Sequence, residues 1–418
     1  MNLEEKIEKL AYNTKTASRG LTKITEDKIN AVLEKLKELI DKNRQRIKEA
    51  NQIDIENAKK ANLKASLIDR LLLNDKRIDG MIEATEAVKK LKSPVGKVID
   101  GWRLQNGLNI ERVKVPIGCL GIIYESRPNV TVDASILCLK SSNGAILKGG
   151  KEAINSNRVL VELIKESLIS QNIDENVVNF IDETDRKAVL YMLKLDKYID
   201  AIVPRGGEGL IKFVSQNATM PVIKHDKGLC HGYVDESADL QKALSIAYNA
   251  KVQRPGVCNA LETLLIHKNI AEGFLVEFKK LMDEAGVELR GCKETLKILP
   301  DIKPATDEDW DSEYLDLILS IKIVNSIDEA IEHINRHGSQ HSETIITENH
   351  TNAERFLDEV DAACVYVNAS TRFTDGGVFG FGAEIGISTN KLHARGPVGL
   401  DELTTYKYKI RGNGQIRR

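Results

Sequence analysis

The sequence predicts an α/β fold made of doubly wound parallel sheets in two successive domains. Three observations carry that expectation. From Ile117 onward short apolar runs alternate with helix-period segments, joined by short connections. A second alternating block begins near Tyr233. The chain has 418 residues, room for two or three domains, and no apolar run near the roughly 20 residues of a membrane span.

The first ~95 residues read as helical, with Ile29, Val32, Leu33, Leu36, Leu39 and Ile40 at helix spacing and Thr25 as the N-cap. WRLQNGLNIERVKV then has Asn106-Gly107 between alternating arms, which predicts a hairpin. In the first alternating block CLGIIYES, AILKGG, VVNFID and YIDAIV read as strands. VTVDASILCLKSSN, INSNRVLVELIKESLIS, DRKAVLYMLKL and LIKFVSQN read as the intervening helices. In the second block DLQKALSIAYNA, IAEGFLVEFKKLMDEAG and DEAIEHINRHG are helical, whereas LETLLIH, LILSIKIVN, SETIIT and CVYVNA are strands. The C-terminal TTYKYKIRG alternates like an exposed strand, so pairing with another subunit is expected.

Sixty basic and 62 acidic residues give a formal charge of −2, which argues against nucleic-acid or membrane-surface binding. Aromatics are 5% of residues, too few for base-stacking platforms. Cys119, Cys138, Cys230, Cys258, Cys292 and Cys364 are scattered without a CxxC pair, so neither a metal site nor a disulfide framework is expected. MNLEEKIEKLAYN reads as an amphipathic helix rather than a signal peptide, and the expected location is cytoplasmic with reduced thiols.

Chemistry concentrates in five stretches. In QRPGVCNA, Cys258 sits in a Pro/Gly turn ahead of an apolar strand. A lone cysteine is most often apolar filler, but filler belongs inside such a run. A thiol in a turn meets exposed N–H groups, and Arg254 adds charge that favours thiolate. LKGGKEA puts Lys148 and Lys151 beyond a strand, where open α/β sheets bind ligands; lysines there suit a phosphorylated one. VPRGGEGL runs strand, glycine-rich loop, helix, so Pro204, Arg205, Gly206, Gly207 and Glu208 form a candidate anion loop, although neither GxGxxG nor a P-loop is present. In ESRPN, Arg127 is suited to an anion and a surface turn is the plainer alternative. The glycine-rich stretch 372–399 offers His393 and Arg395 as cations for an acidic substrate.

Taken in order, ESRPNVTVDA, KGGKEA, VPRGGEGLI, QRPGVCNALETLLIH and FGFGAEIGISTNKLHARGPVGL resemble the γ-glutamyl phosphate reductases (glutamate-5-semialdehyde dehydrogenases) of the aldehyde dehydrogenase superfamily, in register over nearly the whole chain. The resemblance implies a Rossmann-like cofactor domain, a catalytic domain and a small β-flap used in oligomers. On that basis residues 1–224 form the cofactor domain, with 100–116 in the bridging hairpin. Residues 225–368 form the catalytic domain, and 369–418 supply site-lining loops and a C-terminal bridging strand. It implies reduction of L-glutamyl 5-phosphate to L-glutamate 5-semialdehyde with NADPH, in proline biosynthesis, through a thioester on Cys258. Another superfamily reaction, aldehyde oxidation or coenzyme A acylation, is the alternative.

The same resemblance assigns roles to residues. Arg127 and Asn129 become candidate phosphate or oxyanion contacts, since ESRPN replaces the superfamily's Pro-Trp-Asn segment. Lys148 matches the adenosine-ribose lysine. Lys151 stands where NAD-preferring members place a glutamate, which favours the 2′-phosphate of NADPH. Glu313 falls near the nicotinamide-ribose glutamate. Arg372, His393 and Arg395 are candidates for the substrate's anionic groups. His225 replaces the water-activating glutamate of hydrolytic members, as suits a reductase. The implied partners are a small-molecule substrate, further copies of this chain and glutamate 5-kinase.

Overall fold

The computed structural model describes residues 1–224 and 227–417, and the chain divides into two compact units. Unit 1 comprises Met1–Lys224, Gly380–Gly386 and Pro397–Arg418; unit 2 comprises His225–Phe379 and Ile387–Gly396.

Unit 1 opens with α1 (Leu3–Leu21), α2 (Glu26–Lys42), α3 (Arg44–Lys60), α4 (Ala65–Leu71) and α5 (Asp75–Lys90). The Thr25 hydroxyl accepts from the Lys28 N–H, and all six apolar positions of the α2 stripe are buried. β1 (Val98–Arg103) and β2 (Asn109–Pro116) form the expected hairpin, and the C-terminal strand Thr404–Arg411 adds antiparallel to β2. Exposed Trp102, Tyr406 and Tyr408 lie on this three-stranded sheet.

The second sheet of unit 1 contains β3 (Cys119–Tyr124), β4 (Gly144–Gly149), β5 (Val178–Phe180) and β6 (Ala201–Arg205) in the order β5-β4-β3-β6, all parallel. The connecting helices are α6 (Asn129–Lys140), α7 (Ile154–Ser170) and α8 (Lys187–Met192), and α9 (Glu208–Asn217) follows β6. Strands buried along their whole length read as continuous apolar runs, which is why AILKGG lacks alternation. Ile7 and Ala11 of α1 pack with Ile123, Ile146, Ile202, Met192 and Val214 in one core. The winding reverses between β3 and β6, so a topological switch point lies at the carboxyl ends of those two strands.

Unit 2 is built on a seven-stranded parallel sheet. Its elements in chain order are β7 (Cys230–Val234), α10 (Leu240–Val252), β8 (Leu261–His267), α11 (Ala271–Glu284), β9 (Glu288–Gly291), α12 (Lys293–Ile298), β10 (Lys303–Pro304), β11 (Ile318–Val324), α13 (Ile327–His337), β12 (Ser342–Ile346), α14 (His350–Glu359) and β13 (Cys364–Val367). The strand order is β10-β9-β11-β8-β7-β12-β13. Leu264, Ile266, Phe274 and Phe278 belong to one core, with α10 and α11. Tyr233, Leu265, Ile334 and Phe356 belong to another, with α13 and α14. Alternate residues of one strand serve opposite faces, as the period of a strand requires. This is the doubly wound arrangement expected.

Candidate active site

In unit 2 the half-buried Cys258 lies in the turn between the end of α10 and the start of β8. Gly228 and Cys230 precede or begin β7, and Ser342 begins β12, so the thiol sits at the amino-terminal edge of the sheet. The nearest helix end in sequence is the carboxyl end of α10, whose dipole disfavours a thiolate. Positive charge must therefore come from side chains. The Arg372 guanidinium donates to Gln253 Oε1 at 2.8 Å, which fixes it to the same turn. Burial lowers its pKa, and the neighbouring Arg254 charge lowers it further, while Asp375 and the Cys258 thiol act the other way. Arg372 thus stands beside Cys258 in a cationic pair that would welcome an anion.

The turn is anchored through Asn259, which is buried. Its amide donates to the Thr374 carbonyl at 2.8 Å, and the Thr371 hydroxyl donates to the Asn259 carbonyl at 2.7 Å. On the other side, the Cys230 thiol lies 3.2 Å from the Cys258 carbonyl oxygen. Gly228 packs against the Cys258 backbone, and its N–H donates to Glu313 Oε1 at 3.0 Å. Leu315, with φ of 53°, is held by Glu262, which also takes a bond of 2.6 Å from buried Lys251. None of Gly228, Cys230, Asn259, Thr371 and Thr374 stands out as a site residue in the sequence. The one available signal is Asn259, directly after the cysteine in QRPGVCNA.

Glu313, expected to hold a ribose, binds Gly228 here with one oxygen. Arg395 donates to Asp361 Oδ1 at 2.7 Å, and Lys391 shares that carboxylate at 2.5 Å. Of the three expected substrate cations, Arg372 is bonded to the Cys258 turn. His393 is exposed, with left-handed φ of 69°. His225 lies outside the described residues. Among the described residues, no group of three or more His, Cys, Asp or Glu is arranged to hold a metal ion.

In unit 1 the switch point brings two expected segments together, because the Glu125 N–H donates to the Arg205 carbonyl at 3.0 Å. The anion loop has the expected form, with Gly207 as N-cap of α9, and Glu125 Oε2 accepts from the Gly207 N–H at 3.0 Å. A carboxylate therefore already rests where the helix dipole favours negative charge. Pro204 is buried, Arg205 half-buried and Glu208 exposed. Arg127 is half-buried after β3. The Asn129 amide donates to Asp133 Oδ2 at 2.8 Å, one turn along α6, and burial raises the Asp133 carboxyl to about 6. Lys148 is buried with Nζ 2.7 Å from the Gly149 carbonyl, and burial lowers its pKa. Lys151 is exposed. A buried ammonium and an exposed lysine at strand ends fit the phosphates of a dinucleotide, while Glu125 already occupies the helix N-terminus.

Residues 2–305 and 298–408 match the model of the aldehyde dehydrogenase family, so the chain belongs to that family. Within it, the relatives are specific. A γ-glutamyl phosphate reductase of a Nitratiruptor species is 55% identical over 99% of this chain and 100% of its own. The crystal structure of γ-glutamyl phosphate reductase from Thermotoga maritima matches with a TM-score of 0.96 and 54% identity, covering 99% of this chain and 100% of that one. An acetylating aldehyde dehydrogenase from Geobacillus thermoglucosidasius shares the fold, with a TM-score of 0.70 at 17% identity over 100% of this chain and 98% of that one.

Proposed function

We propose that this chain reduces L-glutamyl 5-phosphate to L-glutamate 5-semialdehyde and phosphate with NADPH, the second step of proline biosynthesis from glutamate. The observation that carries the reading is Cys258, half-buried in a turn fixed from several sides, with Arg372 tied to the same turn. Full-length identity of 55% to reductases of that name supports the substrate.

Cys258 Sγ, as thiolate, attacks the acyl carbon. The acyl–oxygen bond breaks and phosphate leaves, so a thioester remains on Cys258. Arg372 would hold an anionic group of the substrate close to the turn. Backbone N–H groups of the turn, that of Cys258 included, would stabilise the oxyanion, a type of donor worth ~10²–10³ in rate. Lys148, Lys151 and the loop Pro204–Glu208 would hold NADPH, which when bound supplies hydride to the thioester. The resulting thiohemiacetal collapses, releasing the aldehyde and returning the electron pair to Cys258 Sγ. Arg127 remains a candidate phosphate contact. Asn129 would have to leave Asp133 to serve as an oxyanion donor.

The exposed aromatic sheet formed by β1, β2 and the C-terminal strand supports a homo-oligomer. The lability of an acyl phosphate favours direct supply by glutamate 5-kinase. Among the described residues no helix is long and apolar enough to cross a membrane. A cytoplasmic location belongs to the same reading, since a nucleophilic thiol must stay reduced. Cys258→Ala tests the assignment: turnover should vanish while NADPH still quenches protein fluorescence on binding. Turnover near the wild-type rate would contradict it.

A further inference from the structure

The turn that carries Cys258 is held from behind by a second thiol. Cys230 is completely buried, and its Sγ lies 3.2 Å from the carbonyl oxygen of Cys258. A carbonyl has no proton to give, so in this contact the Cys230 S–H is the donor, with His341 Nδ1 a more distant acceptor at 3.8 Å. Burial holds this thiol well above its ordinary pKa, with Glu343 adding to the effect, so the proton stays in place. Gly228 closes on the same peptide. A Cβ at that position would stand 2.0 Å from the Cys258 oxygen, 2.3 Å from its Cα and 2.5 Å from its carbonyl carbon. No side chain fits there. Gly228 is itself fixed, because its N–H donates to Glu313 Oε1 at 3.0 Å.

A peptide unit is planar, so fixing the carbonyl oxygen and flank of Cys258 fixes the plane of the bond that follows it. Asn259, on the far side of that bond, is tied to Thr371 and Thr374. With the peptide clamped at both ends and Gly228 against Cα, the Cys258 backbone is held in place, which limits Sγ to the few staggered positions about χ1. A reacting atom misplaced by about 1 Å can lose ~10²-fold in rate.

We propose that Cys230, together with Gly228, is a positioning residue that aims the Cys258 thiol at the acyl carbon. This rests on the nucleophile reading above. Its signature is a loss in the rate of acyl transfer without a loss in substrate or cofactor affinity, because the Cys230 thiol is directed at the Cys258 carbonyl oxygen.

The test is steady-state kinetics of the full chain in the phosphate-dependent direction, with glutamate 5-semialdehyde, phosphate and NADP+. Cys230→Val should lower kcat by ~10- to 100-fold and leave all three KM values within about twofold. Cys230→Ser keeps a donor at the same place and should recover most of that loss. Thermal midpoint and cofactor titration report whether each variant folds. Should Cys230→Val not fold, Cys230→Ala decides by the same criterion. A Cys230→Val or Cys230→Ala enzyme with kcat within twofold of wild type overturns the proposal, as does a Cys230→Ser enzyme no better than the valine variant. An active Cys258→Ala enzyme would instead remove the nucleophile reading itself, so the two failures are distinguishable.

Discussion

Lys151 is exposed just beyond the end of β4; on the proposed cofactor assignment a carboxylate there would accept from a ribose hydroxyl and an ammonium would pair with a 2′-phosphate. A charge-assisted hydrogen bond contributes about 1.5–3 kcal/mol, or ~10- to 100-fold. Lys151→Glu should therefore lower the ratio of kcat/KM for NADPH over NADH at least tenfold, and an unchanged ratio would remove Lys151 from the phosphate site. Asp133 makes a pH-dependent statement of its own. Its carboxyl is raised to about 6 from an ordinary value of 3.8, first by burial, against the opposing Asn129 hydrogen bond. Between those values the folded chain holds a proton that the unfolded chain has lost. Stability from this group is complete below about 4 and falls away as pH rises through about 6. Asp133→Asn should flatten the fall in thermal midpoint over that range, and an equally steep fall in the variant would contradict the assignment. The turn that carries Cys258 was legible in the sequence because proline and glycine mark it. Cys230 and Gly228 were not, because their partner lies 28 and 30 positions along the chain and only the pairing of β7 with β8 brings it near.

Elements were legible where burial leaves a period. The α13 stripe Ile327, Ala330, Ile331 and Ile334 is buried as its spacing requires. α14 escaped notice because its buried face amounts to Ala353 and Phe356 within a polar decapeptide. β9 escaped because four residues, alternately buried and half-buried, leave little pattern. YIDAIV reads as strand from Tyr198, yet β6 starts at Ala201. Asp200 there donates its N–H to the Cys119 carbonyl at 2.8 Å, and its carboxylate accepts the Cys119 N–H at 2.7 Å in place of a strand carbonyl. The helices matter to the site through the sheet they cover. Phe278 of α11 is fully buried and stacks on Phe274, ring centroids 5.1 Å apart, against the core that includes β8. Phe278→Ala should lower the unfolding free energy by about 3–5 kcal/mol in denaturant titration. A change below about 1 kcal/mol would mean that this core is not close-packed.

At the scale of the whole molecule, the chain forms two units, each built on its own parallel sheet. Unit 1 carries lysines and a glycine loop at strand carboxyl ends, as the switch-point rule leads one to expect. Unit 2 carries its thiol at the opposite, amino-terminal edge of its sheet, where that rule gives no guidance and the local turn chemistry was the only signal. The glycine-rich return of the chain is shared out, with Gly380–Gly386 in unit 1 and Ile387–Gly396 in unit 2. Sequence pattern located this stretch but not its division, since no period marks which sheet a loop will join. It also offered Arg395 for the substrate; in the structure one of its nitrogens donates to Asp361.

The central claim is that Cys258 exchanges its acyl group with phosphate and not with water, so that in the reverse direction phosphate takes the acyl group. It is tested most directly by mixing the purified protein with glutamate 5-semialdehyde and NADP+, with and without inorganic phosphate, and following NADPH absorbance. NADPH should form only when phosphate is present, at a rate that saturates with phosphate concentration. NADPH formed at the same rate without phosphate would mean that water takes the acyl group, and the proposed reaction would be wrong.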